Sequence, residues 1–452
     1  MSRIFSLFLV LLASILFLIV PSASAIPSYA RQTGFPCKSC HYMPPELTPL
    51  GRAFKLNGYT MTGKPTVTSP GKGNTSALNI LESFPLSVLL DTSFTSLKSP
   101  QPNSQNGSFQ LPQQASLFLA GAWATHVGSF VQVTYTSQGD HFTWDNSDIR
   151  YANSTHLFKK DFAYGITLNN NPTVEDLWNS TPAWGFPWVN SDWAPGPNAG
   201  AIINGGLAQD VAGLGGYAMW DNHLYVAGTI YRSAHIGVAQ PNQGVDSAGN
   251  ALTNIRGVAP YWRLAWQQNS KNNNLMVGTY SLHMKSTPGA ITGLEDSYTD
   301  YAFDFQDDLT IPQFRNDVLS IRGTYIRENS SLLATFNGGA GADLVQHHLN
   351  TVQANAEYHL GDKYSATIGY FNITGTPDAT LFPAGPLTGT ANGDPRSAGV
   401  IGNISWWPVQ NIGLTFQYTG YTRFNGAATN YDGAGRNADS NNTIYLIARF
   451  VF

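Results

Sequence analysis

The chain's two cysteines fall together, in Phe35-Pro36-Cys37-Lys38-Ser39-Cys40-His41. C-x-x-C-H is the spacing at which two thiols form thioethers to the vinyl groups of a porphyrin. The adjacent histidine is then carried under the ring and ligates the iron from the proximal side. A redox-active C-x-x-C pair would have no need of His41, and a four-ligand zinc site would need further Cys or His close by. A plain disulfide is the remaining alternative in an oxidising compartment. The expected cofactor is therefore one covalently attached heme c, held by Cys37, Cys40 and His41.

The residues that follow must position that group. Thr48-Pro49 is an N-cap followed by proline at the first helical position, and Asn57-Gly58 is a helix end. Leu50, Ala53, Phe54 and Leu56 are expected to turn an apolar face to the ring; Arg52 or Lys55 is a candidate partner for a propionate, a solvated cation being the plainer reading. Met43 is too close to His41 to reach the opposite face of the iron. Met61, beyond the helix, is the first candidate for the distal ligand, and a histidine or other group from elsewhere in the chain is its rival. A thioether there would raise the potential relative to histidine.

Of the 452 residues only 12% are charged, 42% are hydrophobic and 12% aromatic, and the formal net charge is −4. A soluble surface of that size carries more charge. Disorder would combine low hydrophobicity with high charge, and nucleic-acid binding would need clustered Lys and Arg. Arg3, the apolar run Ile4 to Val20 and the small residues Ser22 to Ala25 read as a secretory signal peptide over 1–25, cut after Ala25. No later stretch reaches the ~18 uninterrupted apolar residues of a spanning helix.

Beyond Gly71 the texture is period two. Ile444, Leu446, Ala448, Phe450 and Phe452 alternate with polar residues, as do Ile412, Leu414, Phe416 and Tyr418. Val352, Ala354, Ala356, Tyr358 and Leu360 alternate with Gln353, Asn355, Glu357 and His359. About 16 such segments lie near 85–97, 115–125, 128–138, 143–153, 160–169, 206–220, 222–233 and 256–267, then 273–284, 297–309, 317–327, 349–360, 363–373, 397–407, 411–423 and 442–452. That at 143–153 is the weakest. Long connections follow the first, fifth and later odd segments, whereas most even ones end in tight turns such as Asp221-Asn222 and Gly361-Asp362. This asymmetry belongs to a barrel with its apolar face towards lipid, both chain ends on the periplasmic side and a terminal aromatic, Phe452. The fold class is all-β: a roughly 16-stranded antiparallel outer-membrane barrel over 71–452, with a small helical cytochrome segment over 26–70 plugging its lumen.

Inward-facing acids are candidates for guiding a hard cation, namely Asp300, Asp304 and Glu357 with His359. For each, a polar lumen lining is the plainer reading. The connection 170–205 holds Trp178, Trp184, Trp188 and Trp193 with Glu175, Asp176 and Asp192. It either folds inward as a constriction or is stabilised by its own aromatic packing, the latter being favoured. His347-His348 reads as a loop pair rather than a metal pair.

A heme motif joined to such a barrel resembles the fused outer-membrane monoheme cytochrome–porins of Fe(II)-oxidising bacteria. The resemblance rests on Ala30-Arg31-Gln32-Thr33-Gly34 before the motif and on Leu47-Thr48-Pro49-Leu50-Gly51-Arg52-Ala53-Phe54-Lys55-Leu56-Asn57-Gly58-Tyr59 after it. It continues in Asn169-Asn170-Asn171-Pro172-Thr173-Val174, Thr181-Pro182-Ala183-Trp184-Gly185-Phe186-Pro187 and Ala259-Pro260-Tyr261-Trp262-Arg263-Leu264. The resemblance implies oxidation of extracellular Fe(II) and delivery of electrons to a periplasmic c-type cytochrome or other soluble carrier. Two other readings stay open: a porin gated by or sensing redox state through its heme, and a conduit for a donor or acceptor other than iron.

Overall fold

Alternating residues close a sheet into a barrel when every strand has one face for the lumen and one for the surroundings. The computed structural model describes residues 27–61, 66–70, 76–81, 84–137, 139–234, 254–290, 292–314, 317–338 and 341–452. The leader 1–25 lies outside them. A hairpin of β1 (Thr66–Pro70) and β2 (Ser76–Leu81) precedes the barrel. The barrel strands are β3 (Leu86–Leu97), β4 (Ser108–Ala124), β5 (Val127–Thr136), β6 (His141–Leu157), β7 (Lys160–Asn169), β8 (Val211–Trp220), β9 (Leu224–Ser233) and β10 (Ala259–Asn269). They continue as β11 (Asn273–Ser286), β12 (Asp296–Ile311), β13 (Asp317–Ser331), β14 (Gln346–Leu360), β15 (Tyr364–Gly375), β16 (Ser397–Val409), β17 (Ile412–Arg423) and β18 (Thr443–Val451). Sequential neighbours pair antiparallel, and β18 closes on β3 with Tyr445 opposite Thr95. All sixteen expected strands are present.

Two strands are longer than their sequence signal. β6 runs to 17 residues. β4 starts at Ser108, ahead of the expected 115, because its register against β3 shifts between Asp91 and Ser93. That irregularity breaks the alternation of the amide-rich stretch Gln110 to Gln114.

The outer face is the apolar one. On β10, Trp262, Leu264 and Trp266 are exposed while Tyr261, Arg263, Ala265 and Gln267 are buried. On β15 and β16, Ile368 and Ile404 stand outward at 67% and 61% exposure. A water-facing surface of this composition would be an aggregation hazard, whereas a lipid-facing one is stable. Trp220, Trp266, Trp406 and Tyr364 form an aromatic girdle towards the short turns.

The lumen is filled. Residues 27–61 fold inside it as α1 (Pro27–Thr33), α2 (Cys37–Cys40) and α3 (Pro49–Leu56). Ser28 N donates to Ser87 Oγ at 2.9 Å, Gln32 Nε2 to Ala120 O at 2.9 Å and Cys37 N to Gln410 Oε1 at 3.1 Å. These anchors lie at the strand ends and turns of the short-turn side, so the segment stoppers that end of the barrel.

Candidate functional site

α2 carries both cysteines, and His41 leaves it in extended conformation with its N–H on Cys37 O. Thr48 ties the motif to α3 twice: its Oγ1 donates to Ser39 O at 2.6 Å and accepts from Gly51 N at 3.2 Å. A Cβ on Gly51 would stand 2.2 Å from Cys40 O, so only glycine admits this approach of the two helices. The expected cap, start and end of α3 are all present, with Gly58 at φ +67°.

The donor set fits a c-type heme. Cys37 and Cys40 are not joined in a disulfide. His41 Nδ1 lies 3.1 Å from Glu46 O, a contact that would orient the ring with Nε2 towards a heme iron. Burial lowers the His41 pKa to about 4, against the opposing pull of Glu46, so the ring is held neutral as a ligand must be.

The apolar face of α3 is turned elsewhere than expected. Phe54 packs with Tyr59, Phe118, Ala120 and Phe130, and Leu56 with Leu177, Trp178, Tyr217 and Tyr225. Both residues dock the helix on the barrel wall and the inward loop, because that is where the larger apolar surface lies. Met61 packs at the edge of the Phe54 cluster, as do Tyr29, Leu89 and Trp184. Arg52 is ion-paired with Asp308 of β12, and its Nε has no hydrogen-bond partner among the described residues. Lys55 is committed to the loop: its Nζ donates to Val174 O at 2.9 Å, Asp176 O at 2.6 Å and Asn179 Oδ1 at 2.9 Å, and sits 4.5 Å over the Trp184 ring. Burial, helped by Arg150, lowers its pKa to about 7.

The connection 170–205 folds inward and is also packed by its aromatics, so the two readings of it hold together. Asn171 to Thr181 are buried, and Trp178 is enclosed with its Nε1 donating to Gln267 Oε1 at 3.1 Å. Asp176 accepts from Ser180 N at 2.9 Å and lies 3.3 Å from Arg263.

Asp300 and Asp304 hold this loop. Asp304 takes both Nη atoms of Arg263, at 3.0 and 2.8 Å, and accepts from Ser180 Oγ at 2.8 Å. Asp300 accepts from Ile203 N at 2.8 Å, beside Glu328 on Ile202 N at 2.7 Å. His347 and His348 point to opposite faces of β14, His347 Nε2 lying 2.9 Å from Asp378 Oδ2.

Glu357 and His359 are different, because the structure brings Glu46 of the heme-motif segment against them. Glu46 is also paired with Arg322 of β13, and Tyr42 stacks on the His359 ring at 5.6 Å. Burial alone would raise the Glu46 pKa, but Arg322 and His359 outweigh it and hold it at about 2. Glu46, Arg322 and Tyr42 went unflagged in the sequence: Glu46 sits in an aperiodic loop, and Arg322 carries only the inward phase of β13. On the long-loop side lies a cavity of about 470 Å³ lined by amides, hydroxyls and aromatics, with Arg322 as the one charged residue lining it among the described residues.

No protein-family profile matches the chain, and no curated protein matches it in sequence. In solved structures it is similar to the outer-membrane channel DcaP of Acinetobacter baumannii, at 11% identity and TM-score 0.47 over 81% of this chain and 96% of that one. It is likewise similar to an anion-selective porin from Comamonas acidovorans, at 11% identity and TM-score 0.47 over 81% and 98%. A third likeness is to OmpF of Salmonella typhi in complex with daunomycin, at 11% identity and TM-score 0.44 over 81% and 97%. Likeness at this level is one of barrel outline.

Proposed function

We propose that the chain is an outer-membrane electron-transfer protein that accepts electrons from extracellular Fe(II) and passes them to a periplasmic c-type cytochrome or other soluble carrier. The observation that carries this reading is the C-x-x-C-H segment folded inside a closed barrel, at its short-turn end. Such a motif in a loop outside the barrel would face only one compartment.

A bound heme c would supply a one-electron couple. Cys37 and Cys40 would anchor it and His41 would ligate its iron, with Met61 as the candidate distal ligand. Glu46 O orients the His41 ring. Arg52 is anchored by Asp308 and keeps Nε for a propionate. The inward loop, pinned by Lys55, Arg150 and Arg263, walls the segment off from the long-loop side. In catalytic terms the protein would be an Fe(II):cytochrome oxidoreductase. The cavity on the long-loop side also suits a redox-gated porin, the second reading.

The test is reduction of the purified, heme-loaded protein by Fe(II), followed in the heme band, and then reduction of an added periplasmic cytochrome. Both steps should proceed, with little ion conductance in planar bilayers. Failure of Fe(II) to reduce the heme at any pH defeats the iron reading, and large open-channel currents favour the gated porin.

A further inference from the structure

We propose that Glu46, Glu357 and His359 form a binding site for one divalent first-row transition-metal cation. One candidate ligand atom from each residue lies within 4.8 Å of the other two, and all three side chains are buried. Glu357 and His359 share the inward face of β14, and Glu46 arrives from the loop between the heme motif and α3. The site thus forms only when the plug is seated.

Two features distinguish it from an ordinary acidic cluster. The first is that each carboxylate has one oxygen engaged and the other turned inward. Glu46 Oε1 takes Arg322, and Glu357 Oε2 accepts from Trp188 Nε1 at 3.4 Å. Glu46 Oε2 and Glu357 Oε1 remain, facing the imidazole at 2.9 Å from Nε2 and 4.0 Å from Nδ1. The second is that neither nitrogen of His359, nor Glu46 Oε2, makes a hydrogen bond of acceptable geometry among the described residues. A buried imidazole with both nitrogens unbonded is a rare and costly arrangement. The 2.9 Å approach of Glu46 Oε2 to His359 Nε2 is closed either by a proton on the imidazole or by a cation held between them.

The donor chemistry selects that partner. Ligands at ~2.1 Å on a six-coordinate ion stand about 3 Å apart at adjacent positions, which is the Nε2 to Oε2 separation. Two carboxylate oxygens with one imidazole suit Fe(II), Mn(II), Co(II) or Zn(II), and the imidazole disfavours Ca(II) and Mg(II). The two carboxylates offset a doubly charged ion, and Arg322 stands beside them on Glu46 Oε1. Trp188, whose Nε1 donates to Glu357, lines the cavity together with Arg322. Glu46 also holds His41 through its own carbonyl, so an ion here sits one residue from the candidate heme ligand. On the proposed function, which this inference deepens, the cation is the substrate Fe(II).

The probe is Mn(II), which does not exchange electrons with the heme. The full, heme-loaded chain in detergent is titrated and free Mn(II) is followed by its EPR signal. Wild type should take up one Mn(II) per chain, displaced by Zn(II). Glu357→Gln and His359→Gln should each weaken uptake at least tenfold, with heme content and the heat-modifiable barrel band retained. If one variant does not fold, the other decides. No uptake by wild type, or wild-type uptake by a folded variant, overturns the site. Reduction of the heme by Fe(II) is measured separately: Mn(II) uptake without it keeps the site and defeats the electron-transfer reading, and the converse result does the opposite.

Discussion

The buried acids on β12 and those gathered against β14 occupy one lumen, two strands apart, yet they differ in how their charge is closed. Asp304 has two bonds from one guanidinium and a third from Ser180, and Asp308 has Arg52, Ser320 and Gln306. Glu46 and Glu357 share one guanidinium, Arg322, and Glu46 Oε2 faces His359 Nε2 at 2.9 Å. Asp304 and Asp308 join plug, loop and wall, and each has a guanidinium of its own. The second set holds two carboxylates against one guanidinium, and a proton on His359 or a bound cation closes it. Burial is the same in both, so partner count is what separates the closed acids from the proposed binding ones.

Removing a closed partner should have the largest effect. Arg263→Met strands Asp304 and Asp176 as buried charges, and loss of one partner of a buried pair costs about 3–5 kcal/mol. Urea unfolding should register that loss, together with faster hydrogen exchange over 171–181. Glu357→Gln in the metal-free chain should behave oppositely, costing less than about 1 kcal/mol or stabilising, since it removes a charge that lacks a full partner. Equal losses in the two variants would erase the distinction.

The same contrast explains what was legible beforehand. Strand number, phase and loop asymmetry follow from period-two alternation, which a one-dimensional pattern records directly. The heme motif and the Thr48 cap are contiguous, so they too are readable. Asp300 and Asp304 were visible as inward acids, but their partners Arg263 and Ile203 are remote in sequence, and pairing is what sets their role. Glu46 was invisible because it meets His359 only when the segment folds into the lumen. The face of α3 misled because Phe54 and Leu56 had a wall to pack on that helical periodicity cannot show.

A smaller effect is expected from Glu175 of the inward loop, which accepts from Thr229 at 2.9 Å and has no cation on its carboxylate. Burial raises its pKa from 4.5 to about 7. The folded loop therefore favours the protonated acid: this stabilisation is complete below pH 4.5 and is lost as pH rises towards 7. Hydrogen exchange over 171–181, corrected for intrinsic rates, should quicken between pH 5 and 7.5. Glu175→Gln should flatten that profile, and an unchanged profile in the variant would assign the dependence to another group.

The smallest effect belongs to the rim. Lys38, inside the C-x-x-C-H motif, pairs with Asp362 of the β14–β15 turn at 2.6 Å, with both side chains about half exposed at 55% and 47%. Solvent-exposed pairs contribute roughly 0–1 kcal/mol and are screened by salt. Lys38→Ala should therefore leave unfolding within about 1 kcal/mol of wild type and heme attachment intact. It does remove a charge from the one face of the motif that reaches the short-turn surface, where a soluble carrier would dock. Association with a periplasmic cytochrome should then slow, most at low ionic strength, because rim charges act on encounter rates more than on affinity. If the rate is unaltered at low salt, docking lies away from this edge of the plug.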